Sequence, residues 1–455
     1  MRLAKLQFLE TMIKEFFRKI GMFIGCYPWW VLLGALITFL ACISGFQHIE
    51  IETDIYTLFS IKDASAQKEK PMIEKTFPNN PRDHFEVGRF TSLEGANRVI
   101  ITLNDNQTVL REDVLREVVL FDQMVRNITF HLSIPGKENQ TMTYNDICSK
   151  DTKGRCFRNR ILELFPKIQN GRFPKVSYPL TVNKGDEEVV PYFNTLGGVH
   201  VDSSGEVIVA EAICLTYFTN PNFDTKEYPW EKGVLNIVLN QNFSHINISF
   251  LSFNLLGDEM YKTAFGIMPY AFYTSALMVI ICFIGCSFGD CTTTKSWIGI
   301  VGITASFYGG LAGFGLCQHL RIPFVPPSLS ILFVIVGVGM DDAFVILAAW
   351  RRTCPSQSVP ERLSRTLEQS GLAITISSLT NCLCFLIGAT SPFSFAYCFC
   401  MYAAFGIALD YIFTVSIVGA ALTIMGRIET SGRNAIFCLP IMNSSESELL
   451  IYLNI

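Results

Sequence analysis

Six apolar runs constrain this chain more than any other feature. Each approaches the roughly 20 residues that a helix needs to cross a hydrocarbon core of about 30 Å. They lie at about Trp29–Phe46, Phe265–Phe288, Trp297–Cys317, Pro326–Trp350, Gly371–Ala389 and Ser394–Met425. A lipid-exposed backbone must satisfy its own polar groups, so each run has to fold as a helix. Composition agrees. Half of the 455 residues are hydrophobic, 17% are charged and Phe occurs 37 times, too apolar a mix for an ordinary soluble domain. The balance of 36 Lys+Arg against 40 Asp+Glu gives −4, which leaves no basic footprint for nucleic acid. The predicted fold class is an α+β polytopic membrane protein with a six-helix transmembrane bundle. One large α/β domain is inserted between the first and second spans.

The predicted order is a cytoplasmic amphipathic segment (1–28), a first transmembrane helix (29–46) and a large aqueous domain (47–264). A five-helix membrane unit (265–426) and a cytoplasmic tail (427–455) follow. Lys and Arg set the orientation. Arg2, Lys5, Lys14, Arg18 and Lys19 precede span one, Arg351, Arg352, Arg362 and Arg365 follow span four, and Arg427 and Arg433 follow span six. With six spans these segments share one side, assigned as cytoplasmic, and the large domain is extracellular or luminal. Leu6, Leu9, Ile13, Phe16 and Ile20 recur at helical spacing, predicting a helix that lies on the cytoplasmic leaflet. A cleavable signal peptide fits less well, because the charged stretch before Trp29 is long.

Inside the large domain, sequons occur at Asn106, Asn127, Asn139, Asn242 and Asn247, consistent with glycosylation. Cys148 and Cys156 are close enough in sequence to close a small disulfide loop, which leaves Cys214 without an obvious partner. Strands are predicted at Arg98–Leu103, Glu206–Phe218 and His245–Asn254, and a helix at Val109–Val125. Cys26, Cys286, Cys291 and Cys354 are candidates for palmitoylation. There is no metal-ligand spacing, nucleotide loop or catalytic triad pattern, so neither a cofactor nor enzymatic activity is expected.

The informative residues are the carboxylates within the spans: Asp341 and Asp342 in span four, Asp410 in span six. Each Asp near the bilayer centre costs about 2.5–3.5 kcal/mol, and each Leu, Ile, Phe or Val offsets about 0.3–0.6. About a dozen such residues in span four contribute roughly 4–7 kcal/mol against roughly 5–7 for the aspartate pair. Span four is therefore near break-even alone. Such residues usually face a bundle interior and mark an ion or substrate path. Asp341 is 15 residues from Pro326 and Asp410 is 16 from Ser394, which places both roughly 22–24 Å from one surface. Adjacent buried carboxylates disfavour double ionisation, so a proton or Na⁺ relay is expected. Gly337 and Gly339 in span four and Gly406 in span six, with Gly302, Ser306, Gly310, Ala305, Gly309 and Gly313 in span three, suit close helix packing.

This arrangement resembles the resistance–nodulation–division superfamily, and within it the Patched-related proteins. The resemblance rests on Gly337-x-x-x-Asp341-Asp342, on Leu409-Asp410-Tyr411 and on Tyr144-Asn-Asp-Ile-Cys148 followed by Cys156. It implies a sterol-sensing domain over spans two to six and a ferredoxin-like βαββαβ aqueous domain. It also implies transport or sensing of a sterol or other membrane lipid, coupled to a proton or Na⁺ gradient through the span-four carboxylates. Such proteins have twelve spans in two halves. The chain reads as the N-terminal half, which a second copy or a second half would complete. Two alternatives stand beside transport: a non-transporting sterol-sensing regulator or receptor, and a half without activity of its own. Intramembrane aspartyl proteases resemble one another in a Tyr-Asp pair followed by Gly-x-Gly-Asp. Here that order is reversed, and Met340 separates Gly339 from Asp341.

Overall fold

The computed structural model describes residues 2–52, 55–61, 64–91, 95–105, 107–132, 140–168, 174–183, 188–220, 229–286 and 296–430. In chain order, the elements that matter begin with helices α1 (Arg2–Cys26) and α2 (Pro28–Ile43). Then come β1 (Ala96–Leu103), α3 (Glu112–Arg126), β2 (Leu196–Gly197), β3 (Ala212–Phe218), α4 (Pro229–Asn240) and β4 (Ile246–Leu251). Helices α5 (Phe253–Gly266), α6 (Met268–Cys286), α7 (Ser296–His319) and α8 (Ile331–Arg351) follow. The last are α9 (Val359–Gly388), α10 (Ser394–Phe413) and α11 (Gly419–Thr430). Two compact units result, one of residues 1–62 with 260–455, the other of residues 63–259.

The helical unit holds stretches long and apolar enough to cross a membrane. Six are found among the described residues: Pro28–His48, Phe253–Gly285, Trp297–His319, Pro326–Arg351, Val359–Gly388 and Ser394–Thr430. The protein is a multi-pass membrane protein. Small residues set its packing. Gly302 and Gly310 of α7 face Ala343 and Ile335 of α8, whereas Gly309 and Gly313 face Asp410 and Gly406 of α10. The small residues expected to pack on span three thus form two ladders, each serving one neighbour. A π-helical turn, Thr414–Val418, joins α10 to α11, a feature frequent at functional sites.

Helix α1 departs from expectation. Its inner face is Phe17, Gly21, Ile24 and Gly25, and it runs antiparallel to α9. The Phe17 ring lies on Gly371, Gly21 meets the backbone of Ser364, and Gly25 meets Pro360. Ser364 Oγ donates to the Arg18 carbonyl at 2.8 Å. Arg427 donates to the carbonyls of Gly25 (3.0 Å) and Cys26 (3.3 Å) at the end of α1, where helix carbonyls lack intrahelical partners. Ile13 and Ile20 pack inward with Phe17, while Phe16 is 60% exposed. The predicted apolar stripe is therefore divided between two faces, because both faces of α1 carry apolar residues. Arg362, one of the basic residues that follow span four, is buried. It stacks on Trp350 at 4.4 Å and reaches Thr353 and Glu429.

The second unit is built on a four-stranded antiparallel sheet of order β4-β1-β3-β2. Alternation along β1 buries Val99 and Ile101 and exposes Ile100. Helix α3 packs its Val114, Leu115, Val118, Phe121 and Val125 into the same core, with Trp230 and Val234 of α4. Its first turn carries Glu112 and Asp113 and its last Arg126, matching the helix charge distribution. Two sequence expectations need correction. The strand expected over Glu206–Phe218 breaks at Ala210–Glu211 into Val207–Val209 and β3, where the Ala210 carbonyl accepts from the Val109 amide. The strand expected over His245–Asn254 stops at Leu251, because Ser252 caps α5 by accepting from the Leu255 amide at 3.4 Å.

Candidate functional site

The three carboxylates diverge. Asp342 is buried at 4% exposure and Asp410 is fully enclosed, whereas Asp341 is exposed on another side of α8. Asp342 Oδ1 accepts from Ser377 Oγ at 3.3 Å and its Oδ2 from Ser378 Oγ at 3.0 Å, both on α9. Asp410 Oδ1 accepts from Thr414 Oγ1 at 3.3 Å, one turn onward in the π-helical turn. Among the described residues Asp410 Oδ2 has no hydrogen-bond partner. Gly339, about one turn before Asp342 on α8, lies against the Asp410 carboxylate.

Glycines make this closeness feasible. A Cβ on Gly339 would strike Ser306 Oγ and both Asp410 oxygens, one on Gly406 would strike Ile335, and one on Gly309 would lie 2.5 Å from the Asp410 Cα. Gly337 has open space around it, so it shares no packing role with Gly339 and Gly406. Thr375 and Tyr411 hydroxyls meet at 2.8 Å and tie α9 to α10 beside the site. The sequence reading set Asp341 level with Asp410. In the structure Gly339 abuts Asp410, Asp342 turns to Ser377 and Ser378 of α9, and Asp341 is exposed. The hydroxyls of Ser306, Ser377, Ser378 and Thr414 escaped that reading, since single hydroxyls barely change the hydropathy of a span. The adjacent serines in Ile376-Ser-Ser-Leu379 are the available signal.

Nearby, Ile298, Gly299, Met340, Ala343, Phe344 and Leu347 line a shallow apolar cleft between α7 and α8.

In the second unit Cys148 and Cys156 form a disulfide, and Cys214 is a free thiol, pushed up in pKa by burial. Tyr144, beside that disulfide, belongs to a buried knot. Tyr217 donates to Asp122 at 2.8 Å, Arg126 donates to the same carboxylate at 2.8 Å, and the Arg126 guanidinium lies 5.3 Å from the Tyr144 ring. Asn127, Asn242 and Asn247 are exposed. Asn106 and Asn139 lie outside the described residues, as do Cys291, Arg433 and the rest of the tail. Among the described residues no His, Cys, Asp or Glu cluster is arranged to hold a metal.

Comparison with known families gives this geometry a setting. Residues 291–442, which include α7 to α11, match the family described as the sterol-sensing domain of SREBP cleavage-activation. Relatives match nearly the whole chain. A Niemann-Pick type C1-related protein of Toxoplasma gondii is 26% identical over 92% of this chain, and Patched-related protein 9 of Caenorhabditis elegans is 23% identical over 94%. The chain carries a sterol-sensing domain and is related to the Patched and Niemann-Pick C1 proteins. A further relative, the rat NPC1-like intracellular cholesterol transporter 1, is 22% identical over 94%. This chain spans 37%, 51% and 36% of those three proteins respectively, about half their length or less. Within the sterol-sensing domain, Asp342 and Asp410 stand on helices α8 and α10 with their hydroxyl partners on α9 and in the π-helical turn.

Proposed function

We propose that this protein binds a sterol or similar lipid in the membrane and moves it, with Asp342 and Asp410 coupling movement to a proton or Na⁺ gradient. The observation that carries the reading is the pair of buried carboxylates on separate helices, whose hydrogen-bond partners among the described residues are hydroxyls, with Gly339 of the Asp342 helix against Asp410. Buried charge without a cation is costly, so such a pair favours taking up a proton or a small cation. Four hydroxyls beside two carboxylates supply oxygen donors of the hard type that alkali cations prefer. The sterol class follows from the family match and from the cholesterol transporter named among the relatives.

Three further readings belong with it. The order β1-α3-β2-β3-α4-β4, with strands arranged β4-β1-β3-β2, supports a ferredoxin-like aqueous domain inserted between spans one and two. The disulfide and the exposed sequons at Asn127, Asn242 and Asn247 support a luminal or extracellular side for it, in the plasma membrane or an endomembrane. Asp341, exposed within a span, supports a covering partner: a second half or a second copy. A sterol-sensing regulator without transport uses the same helices and is favoured by the sterol-sensing match over residues 291–442.

Photolabelling tests the lipid class. A photoreactive sterol should label peptides within residues 296–350, in competition with unlabelled sterol. Label that spreads evenly over the six spans, or that resists competition, would contradict a sterol site.

A further inference from the structure

Glu231 lies in the first turn of α4 and is only 4% exposed. Helix charge favours a carboxylate there, but burial without a cation opposes it. Among the described residues no Lys, Arg or His pairs with it, and its partners are all neutral. Ser252 Oγ is 2.6 Å from Oε2, Asn254 Nδ2 donates to Oε1 at 2.9 Å, and the Asn97 amide adds a third bond. Asn97 belongs to β1, where it also donates to Thr219 at 3.3 Å. Ser252 and Asn254 flank the start of α5. One carboxyl thus ties α4, β1 and the root of α5 together. The charged groups around it are Lys232 of α4 and Asp258 of α5, ion-paired at 3.6 Å. The Asp258 charge opposes a charge on Glu231.

We infer that Glu231 is a proton-operated latch at the root of α5, closed when the carboxyl is protonated and loosened when it ionises. A protonated carboxyl donates to Ser252 Oγ through its own hydroxyl while its carbonyl oxygen accepts from Asn254. No charge is then buried. Ionisation leaves a negative charge in an enclosed site facing Asp258, and opening toward water relieves it. Burial holds this carboxyl above the ordinary glutamate range, with the Ser252, Asn254 and Asn97 hydrogen bonds pulling the other way. The folded protein therefore holds the proton more tightly than the unfolded chain. The latch is fully closed below the ordinary glutamate range and loses its hold as pH rises through the raised value. Since α5 continues into the second candidate span, Phe253–Gly285, the latch sets how firmly that helix is rooted in the aqueous domain.

Hydrogen exchange on the full chain in lipid nanodiscs tests this. With intrinsic rates corrected, protection at Leu255 and Leu256 should fall about threefold or more between about pH 5 and about pH 7.5. Glu231→Gln should keep the acid-pH protection throughout. Asp258→Asn removes the opposing charge, so it should move the wild-type transition to lower pH. A pH-independent wild type, a Gln variant that falls like the wild type, or an Asp258→Asn transition left in place would each overturn the latch.

Discussion

Gly337 and Gly339 stand two residues apart on α8 and have opposite surroundings. Gly339 presses on Ser306 and the Asp410 carboxylate, and Gly337 faces open space. Gly339→Ala should therefore lower stability by about 1–3 kcal/mol, the usual cost of overpacking, while Gly337→Ala changes it by less than about 0.5 kcal/mol. Thermal unfolding in detergent separates them, and equal effects would refute the packing described. Tyr217→Phe in the second unit leaves an Asp122 oxygen without its hydroxyl donor. It should cost about 1–3 kcal/mol, read as a lower midpoint of unfolding. At this scale the sequence named the carboxylates but not their directions. A 100° step per residue sends Asp341 and Asp342 to different sides of α8, and only the neighbouring helices decide which one is enclosed. Ser377 and Ser378 stayed hidden because single hydroxyls barely change the hydropathy of a span.

Elements were more legible. Runs of about 20 apolar residues identify membrane helices with little ambiguity, and six emerge from sequence and structure alike. Strand ends were less so. Alternation continues past Leu251 on paper, but Ser252 turns the backbone into a helix. Helix α1 shows the limit most clearly. Its spacing announced an amphipathic helix, yet the face that packs on α9 is the one with Gly21 and Gly25, where small size rather than hydrophobicity permits contact. Gly21→Leu should lift α1 from α9. Limited proteolysis should then cut within residues 10–26 at least about tenfold faster, with the second unit unaffected. Unchanged cleavage would mean that α1 is held elsewhere.

For the whole molecule, the sterol-sensing match and the relatives fix the class, and the membrane orientation follows from chemistry that cells can report. Asn127, Asn242 and Asn247 are exposed in the second unit. In a eukaryotic secretory host, replacing each by Gln should remove one glycosidase-sensitive mass step. No shift from any of the three would place that unit on the cytoplasmic side. The central claim concerns Asp342 and Asp410 together. The most direct measurement is sterol flux through vesicles containing the purified chain, with and without an imposed proton or Na⁺ gradient, compared with Asp342→Asn/Asp410→Asn. Gradient-driven flux in the wild type, lost in a double variant that still folds and binds sterol, is the predicted result. Equal flux in the two proteins, or flux indifferent to both gradients, would contradict the coupling.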